Sequence, residues 1–107
     1  MVSNHGGRQL DGSVSPFDQL AKIVDAVGDK IDVICEGGIQ RGTHVLKALS
    51  IGAKACAGGR LYLYALASAG EKGVERALSL LKEEIIRDMK LMGCLSLIHI
   101  SEPTRPY

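Results

Sequence analysis

His5 and Arg8 stand three residues apart in the run Ser3-Asn4-His5-Gly6-Gly7-Arg8-Gln9-Leu10-Asp11. An imidazole accepts a proton near neutral pH, its unperturbed pKa being about 6.5. A guanidinium is a rigid two-pronged donor that matches a carboxylate. The glycines between them let backbone approach a flat ligand through dihedrals closed to other residues. The pair therefore suits a small molecule that carries a carboxylate beside an abstractable proton. The competing reading is a solvated loop holding one His and one Arg, so the surrounding elements decide the matter.

Those elements alternate. Ser15 precedes Pro16, a cap residue followed by the residue favoured at the first helical position. Phe17, Leu20, Ile23, Val24 and Val27 then recur at helical spacing, and Gly28 closes the segment. The β-branched run 31–35 predicts a buried strand ending at Glu36-Gly37-Gly38. A helix is expected over 43–51, with Val45, Leu46 and Leu49 on one face. A weak strand of small residues, 53–57, runs into Gly58-Gly59-Arg60. From Tyr62 to Met92 the pattern is helical with a break at 70–73, and Leu78, Leu81, Ile85, Met89 and Met92 form its apolar stripe.

Strand, glycine turn and helix repeating every 20 to 25 residues or so is the signature of βα units in an α/β fold. Each strand end delivers a loop with chemistry: His5 and Arg8, then Glu36-Gly37-Gly38-Ile39-Gln40-Arg41, then Gly59-Arg60. Ligands of parallel α/β folds sit at those ends. The glycine turns read as anion-facing, their free amides pointing at a phosphate at the start of the following helix. His44, one residue past the expected cap, reads as a solvated first-turn side chain.

Composition narrows the function. The 107 residues are 46% hydrophobic but hold one Phe, three Tyr and no Trp, so the core rests on aliphatic side chains. A net charge of +1 and the lack of a basic cluster interleaved with aromatics give no basis for a nucleic-acid partner. No apolar segment approaches the roughly 20 residues of a membrane span, and no secretory leader is visible. Cys35, Cys56 and Cys94 lack metal-ligand spacing and read as reduced thiols, two of them buried in strands; no metal is expected. A cytoplasmic protein is expected, with membrane association of a longer parent left open.

The first motif resembles the active-site signature of the FMN-dependent α-hydroxy-acid dehydrogenases and oxidases, the group of glycolate oxidase and the flavin L-lactate dehydrogenases. The likeness continues through Glu36-Gly37-Gly38-Ile39-Gln40-Arg41-Gly42-Thr43, Leu46-Lys47-Ala48-Leu49, Ile51-Gly52-Ala53 and Gly59-Arg60. It implies the C-terminal portion of a (β/α)8 TIM barrel, from the end of strand six through helix eight, incomplete on its own because a whole barrel takes about 250 residues. It implies FMN as cofactor and oxidation of a small L-2-hydroxy acid, lactate- or glycolate-like, to the 2-oxo acid by a homo-oligomeric parent. His5 would be the base and Arg8 the carboxylate clamp, with Glu36, Gly37, Gly38, Gln40, Arg41, Gly59 and Arg60 on the cofactor side.

Two positions depart from the family pattern. Glu36 stands where an Asp is usual, and Gln40 where many members carry a phosphate-binding Arg. The alternative to an enzyme is a non-catalytic half-barrel that at most binds a phosphate-bearing ligand or a complementing chain. Its unpaired edge and apolar faces would leave the isolated chain marginal. Residues 1–94 carry the resemblance. The tail 95–107, beginning Leu95-Ser96-Leu97-Ile98-His99-Ile100, breaks it and resembles the translation of a sequencing adapter. His99 is therefore no catalytic candidate, and Met1 reads as an internal methionine.

Overall fold

A computed structural model describes residues 1–94 and Ser96; the expected adapter-like tail otherwise lies outside the described residues. The elements run α1 (Pro16–Val27), β1 (Ile34–Glu36), α2 (Gly42–Ile51), β2 (Ala55–Ala57) and α3 (Arg60–Leu91). This is the expected alternation, with β1 and β2 paired in parallel. A third backbone segment joins them at Val2, which bridges Cys35 in parallel. The Val2 amide donates to the Ile34 carbonyl at 2.8 Å and the Glu36 amide to the Val2 carbonyl at 2.9 Å. Val2, Cys35 and Cys56 thus share one row, and the chain leaves all three segments on the same side.

α1 starts as its sequence predicts, the Ser15 hydroxyl accepting from the Asp18 amide at 3.1 Å. Its inward face buries Leu20 completely, while Phe17 remains 39% exposed. Leu20 packs with Val2, Val33, Cys35, Ala48 and Ala53, a core of small and aliphatic side chains. The strands are shorter than predicted. Only Ile34–Glu36 finds ladder partners on β2, and Ile31 lies 60% exposed before the ladder begins. The second strand likewise contracts to Ala55–Ala57, because the Ala53 amide closes α2 on the Ala48 carbonyl at 3.1 Å.

α2 begins one residue earlier than predicted, at Gly42, where a side chain would collide with α3: a Cβ there would lie 2.7 Å from the Cβ of Glu84 and from the amide nitrogen of Ile85. Close packing on α3 requires a glycine at this boundary, and His44 of the first turn bonds back to the Arg41 amide. α3 kinks at Ala69 and Gly70, at the edge of the expected break, and Gly70 takes φ +61°. Beyond the kink Ile85 and Met89 pack on Leu46 and Cys94. Leu78 and Met92, expected in the same stripe, are 52% and 50% exposed.

All three cysteines are free: Cys35 and Cys94 are buried, whereas Cys56 is only half-buried. Burial raises the Cys35 thiol, with a smaller push from Glu36. Burial also pushes Cys56 up to about 11. Both thiols stay neutral at about pH 8, so iodoacetamide should leave them unmodified in the folded chain and label them after unfolding. Leu20→Ala should lower stability by about 2–5 kcal/mol in urea denaturation, the cost of a cavity in a small core.

Candidate active site

The loop after Val2 is wound left-handed over four consecutive residues, with φ of 57° at His5, 76° at Gly6, 77° at Gly7 and 46° at Arg8. For His5 and Arg8 this conformation costs roughly 1–2 kcal/mol each. Neighbouring groups offset it. The His5 amide donates to Ser3 Oγ at 2.9 Å and the Gly6 amide to Asn4 Oδ1 at 3.1 Å. Asn4 Nδ2 in turn reaches the Ser13 hydroxyl at 3.3 Å and the Val14 carbonyl at 3.2 Å. Ser3 gives its one proton to the Glu36 carboxylate, which leaves its lone pairs for the His5 amide.

Ser3 and Asn4 stand in the first motif, but their bracing of the loop together with Ser13 is seen only in the fold. The available signal was local, since Ser and Asn just before a glycine pair are turn formers that bond their own backbone. The result is a loop held open by side chains, with His5 and Arg8 both exposed.

His5 and Arg8 share one concave cavity of about 440 Å³ with Glu36, Gly37, Gly38 and Gln40 of the second turn and Gly59 and Arg60 of the third. That size falls within the usual range for small-molecule sites, about 300–1,000 Å³. The Arg60 guanidinium reaches the first loop beside Gly6. A Cβ on Gly6 would come within 3.1 Å of its guanidinium, so the glycine makes the approach possible. Glu36 lies between the loops, bonded to Ser3 and with Oε1 3.8 Å from where a Gly59 side chain would begin.

Arg41 is the one proposed site residue placed elsewhere. Its Nε donates to both Glu84 oxygens, at 2.9 and 3.0 Å, and the Gly42 amide donates to the same carboxylate at 2.8 Å. His44 is not the solvated residue expected. It is half-buried, and its Nδ1 accepts from the amides of Gln40 at 3.1 Å and Arg41 at 3.2 Å. The amides of Gln40, Arg41 and Gly42 are thus satisfied by the protein itself. The start of α3 differs: among the described residues no side chain caps it, and Arg60 opens the helix. Unclaimed amides and a guanidinium there suit a phosphate.

The sequence matches the family described as FMN-dependent dehydrogenase over residues 1–104. The chain belongs to that family. It is 50% identical to L-lactate oxidase of Nostoc sp. over 97 residues, which cover 91% of this chain and 27% of that protein. It is 52% identical to 2-hydroxyacid oxidase 1 of Mus musculus, with 88% of this chain and 25% of that protein covered. A crystal structure of mandelate oxidase with 3,3-difluoro-2-hydroxy-3-phenylpropionic acid superposes with a TM-score of 0.86 at 47% identity, covering 94% of this chain and 30% of the other. A flavocytochrome b2 variant with sulfite bound superposes with a TM-score of 0.82 at 45% identity, covering 92% and 27%. The chain spans about a quarter of the length of the curated relatives it matches. No helix among the described residues is long and apolar enough to cross a membrane.

The Arg41 hydrogen bond, followed by that of Gly42, holds the Glu84 carboxyl below its usual range. A lowered folded value means the contact is intact above the free-chain pKa and is lost as pH falls through the lowered midpoint. The Glu84 side-chain carboxyl ¹³C shift should therefore titrate below the roughly 4.3 of an unperturbed Glu. In Arg41→Ala the midpoint should move back up.

Proposed function

We propose that this chain supplies the hydroxy-acid and phosphate ends of an FMN-dependent 2-hydroxy-acid oxidising site, as the closing βα units of a longer (β/α)8 barrel. The single observation that carries the reading is the shared cavity: an imidazole, a guanidinium, a glycine turn and a second guanidinium meet at the ends of three parallel backbone segments. The L-lactate oxidase and 2-hydroxyacid oxidase relatives support the same class of reaction. The substrate would be a small L-2-hydroxy acid of the lactate or glycolate type, the product the 2-oxo acid, in a cytoplasmic homo-oligomer.

The residues present fit the cofactor. Arg60 and the uncapped start of α3 would hold the phosphate, and Gly38, beside whose backbone a side chain would meet open space, would allow close approach. Glu36 would face the ribityl side, and Gly37, Gly59 and Gln40 would line it. When bound, FMN supplies the two-electron acceptor. Arg8 binds the substrate carboxylate with two parallel hydrogen bonds and so fixes which face of the hydroxyl-bearing carbon meets the cofactor. His5 takes a proton of the hydroxy acid on an unprotonated ring nitrogen, the general-base role, while the electron pair of the substrate's Cα–H bond would pass to FMN.

The alternative, a binding module without catalysis, draws on the exposed apolar side chains of α3, among them Tyr62, Leu63, Tyr64 and Leu66. FMN titration followed by lactate or glycolate separates the two. For the full-length parent, binding with flavin bleaching is the expected result, and binding without reduction favours the module. His5→Ala should slow bleaching by about 10²–10⁴-fold. In the full-length parent, Gln40→Arg should tighten FMN by about 1.5–3 kcal/mol, the worth of a hydrogen bond to a charged group.

A further inference from the structure

We infer that Glu84 is a positioning residue for the cavity turn 37–41, acting from α3 on a site that its own side chain does not line. The inference rests on the proposed reading of Arg60 and the start of α3 as the holder of the FMN phosphate, with Gly37, Gly38 and Gln40 lining its approach.

Three features converge on it. Glu84 accepts from the Gly42 amide and from Arg41 Nε with both oxygens, so it fixes backbone and side chain at the far end of the turn. Gly42 has no side chain where one would strike the Glu84 Cβ, which brings α3 close enough for the carboxylate to reach an amide. Ile85 and Met89, on either side of the next turn of α3, pack with Leu46 and Cys94 and hold the helix in place. The near end of the turn is tied separately, because Glu36 belongs to β1. The stretch 37–39, which lines the cavity, is therefore suspended between a strand and the Glu84 clamp.

The clamp also has an electrostatic effect. A carboxylate at the start of α2 occupies the positive end of that helix dipole. With the Gln40 and Arg41 amides turned to His44, the α2 start offers little to an external anion. The phosphate is directed to the start of α3 and to Arg60. An isolated exposed ion pair is worth little on its own. What distinguishes this one is the third bond, to the first amide of a helix whose entry turn lines the site.

The test uses the 107-residue chain and its Glu84→Ala and Glu84→Gln variants; Gln keeps an oxygen for the Gly42 amide. In ¹H–¹⁵N spectra without ligand, Glu84→Ala should shift the amides of Gly37, Gly38 and Ile39 and leave those of Asn4, His5 and Gly6 in place. Glu84→Gln should move the same amides less. Fluorescence titration should then show FMN weakened about tenfold by Glu84→Ala and riboflavin, which has no phosphate, changed by less than about twofold.

Unmoved amides at 37–39, or equal weakening of both flavins, overturns the inference. If Glu84→Ala unfolds, the same criteria apply to Glu84→Gln. If the unsubstituted 107-residue chain binds neither flavin, the clamp is judged by the amide shifts alone.

Discussion

Parallel backbone pairing at Val2, Ile34–Glu36 and Ala55–Ala57 is the constraint on which the site depends. Side chains alternate along a strand, so one row of register decides which residues point into the core and which lead into the loops. With Val2, Cys35 and Cys56 aligned, the buried Val2 and Cys35 close over Leu20. The chain then leaves each segment on the same side, at Ser3, at Glu36 and at Gly58. A slip of one residue would turn Cys35 outward and carry Glu36 away from Ser3. The core beneath is small, but its central members, Leu20, Cys35 and Ala48, are fully buried, which makes that register costly to change.

From this row the charges divide. Arg8, Arg60 and His5 reach the cavity from the first and third loops, and Glu36 stands between them. Such an arrangement favours an anionic ligand and balances it with one carboxylate that is already hydrogen-bonded to Ser3. The left-handed winding at His5 and Arg8 fits this picture. Strain of that kind persists where surrounding bonds over-determine it, as the Ser3 and Asn4 bonds do here. The two helix starts behave as opposites, one closed by Glu84 and His44, the other open beside Arg60.

The outer faces tell of another scale. Tyr62, Leu63, Tyr64, Leu66, Leu78, Leu80 and Ile86 all lie along α3 with 42–65% of their surface exposed. So many exposed large apolar side chains on one element are normally covered. In relatives more than three times as long, sharing this fold at TM-scores above 0.8, further chain is available to cover them.

Much of this was legible in the residues because it is local. Ser15 and Pro16 start α1, Gly70 kinks α3, and the glycine pairs mark the strand ends wherever those strands pair. The meeting of His5 and Arg8 on one exposed loop was also legible, since it depends on residue type and on glycines that permit the winding. What needed the tertiary structure depends on partners far along the chain. Strand limits contracted to the residues that find a neighbour, and the α2 start moved to Gly42 because α3 lies against it. Arg41 looked like a site cation by sequence, yet its long side chain bends to Glu84, 43 residues away. No local pattern encodes that choice: a flexible guanidinium goes to whichever carboxylate the packing of two helices brings within reach.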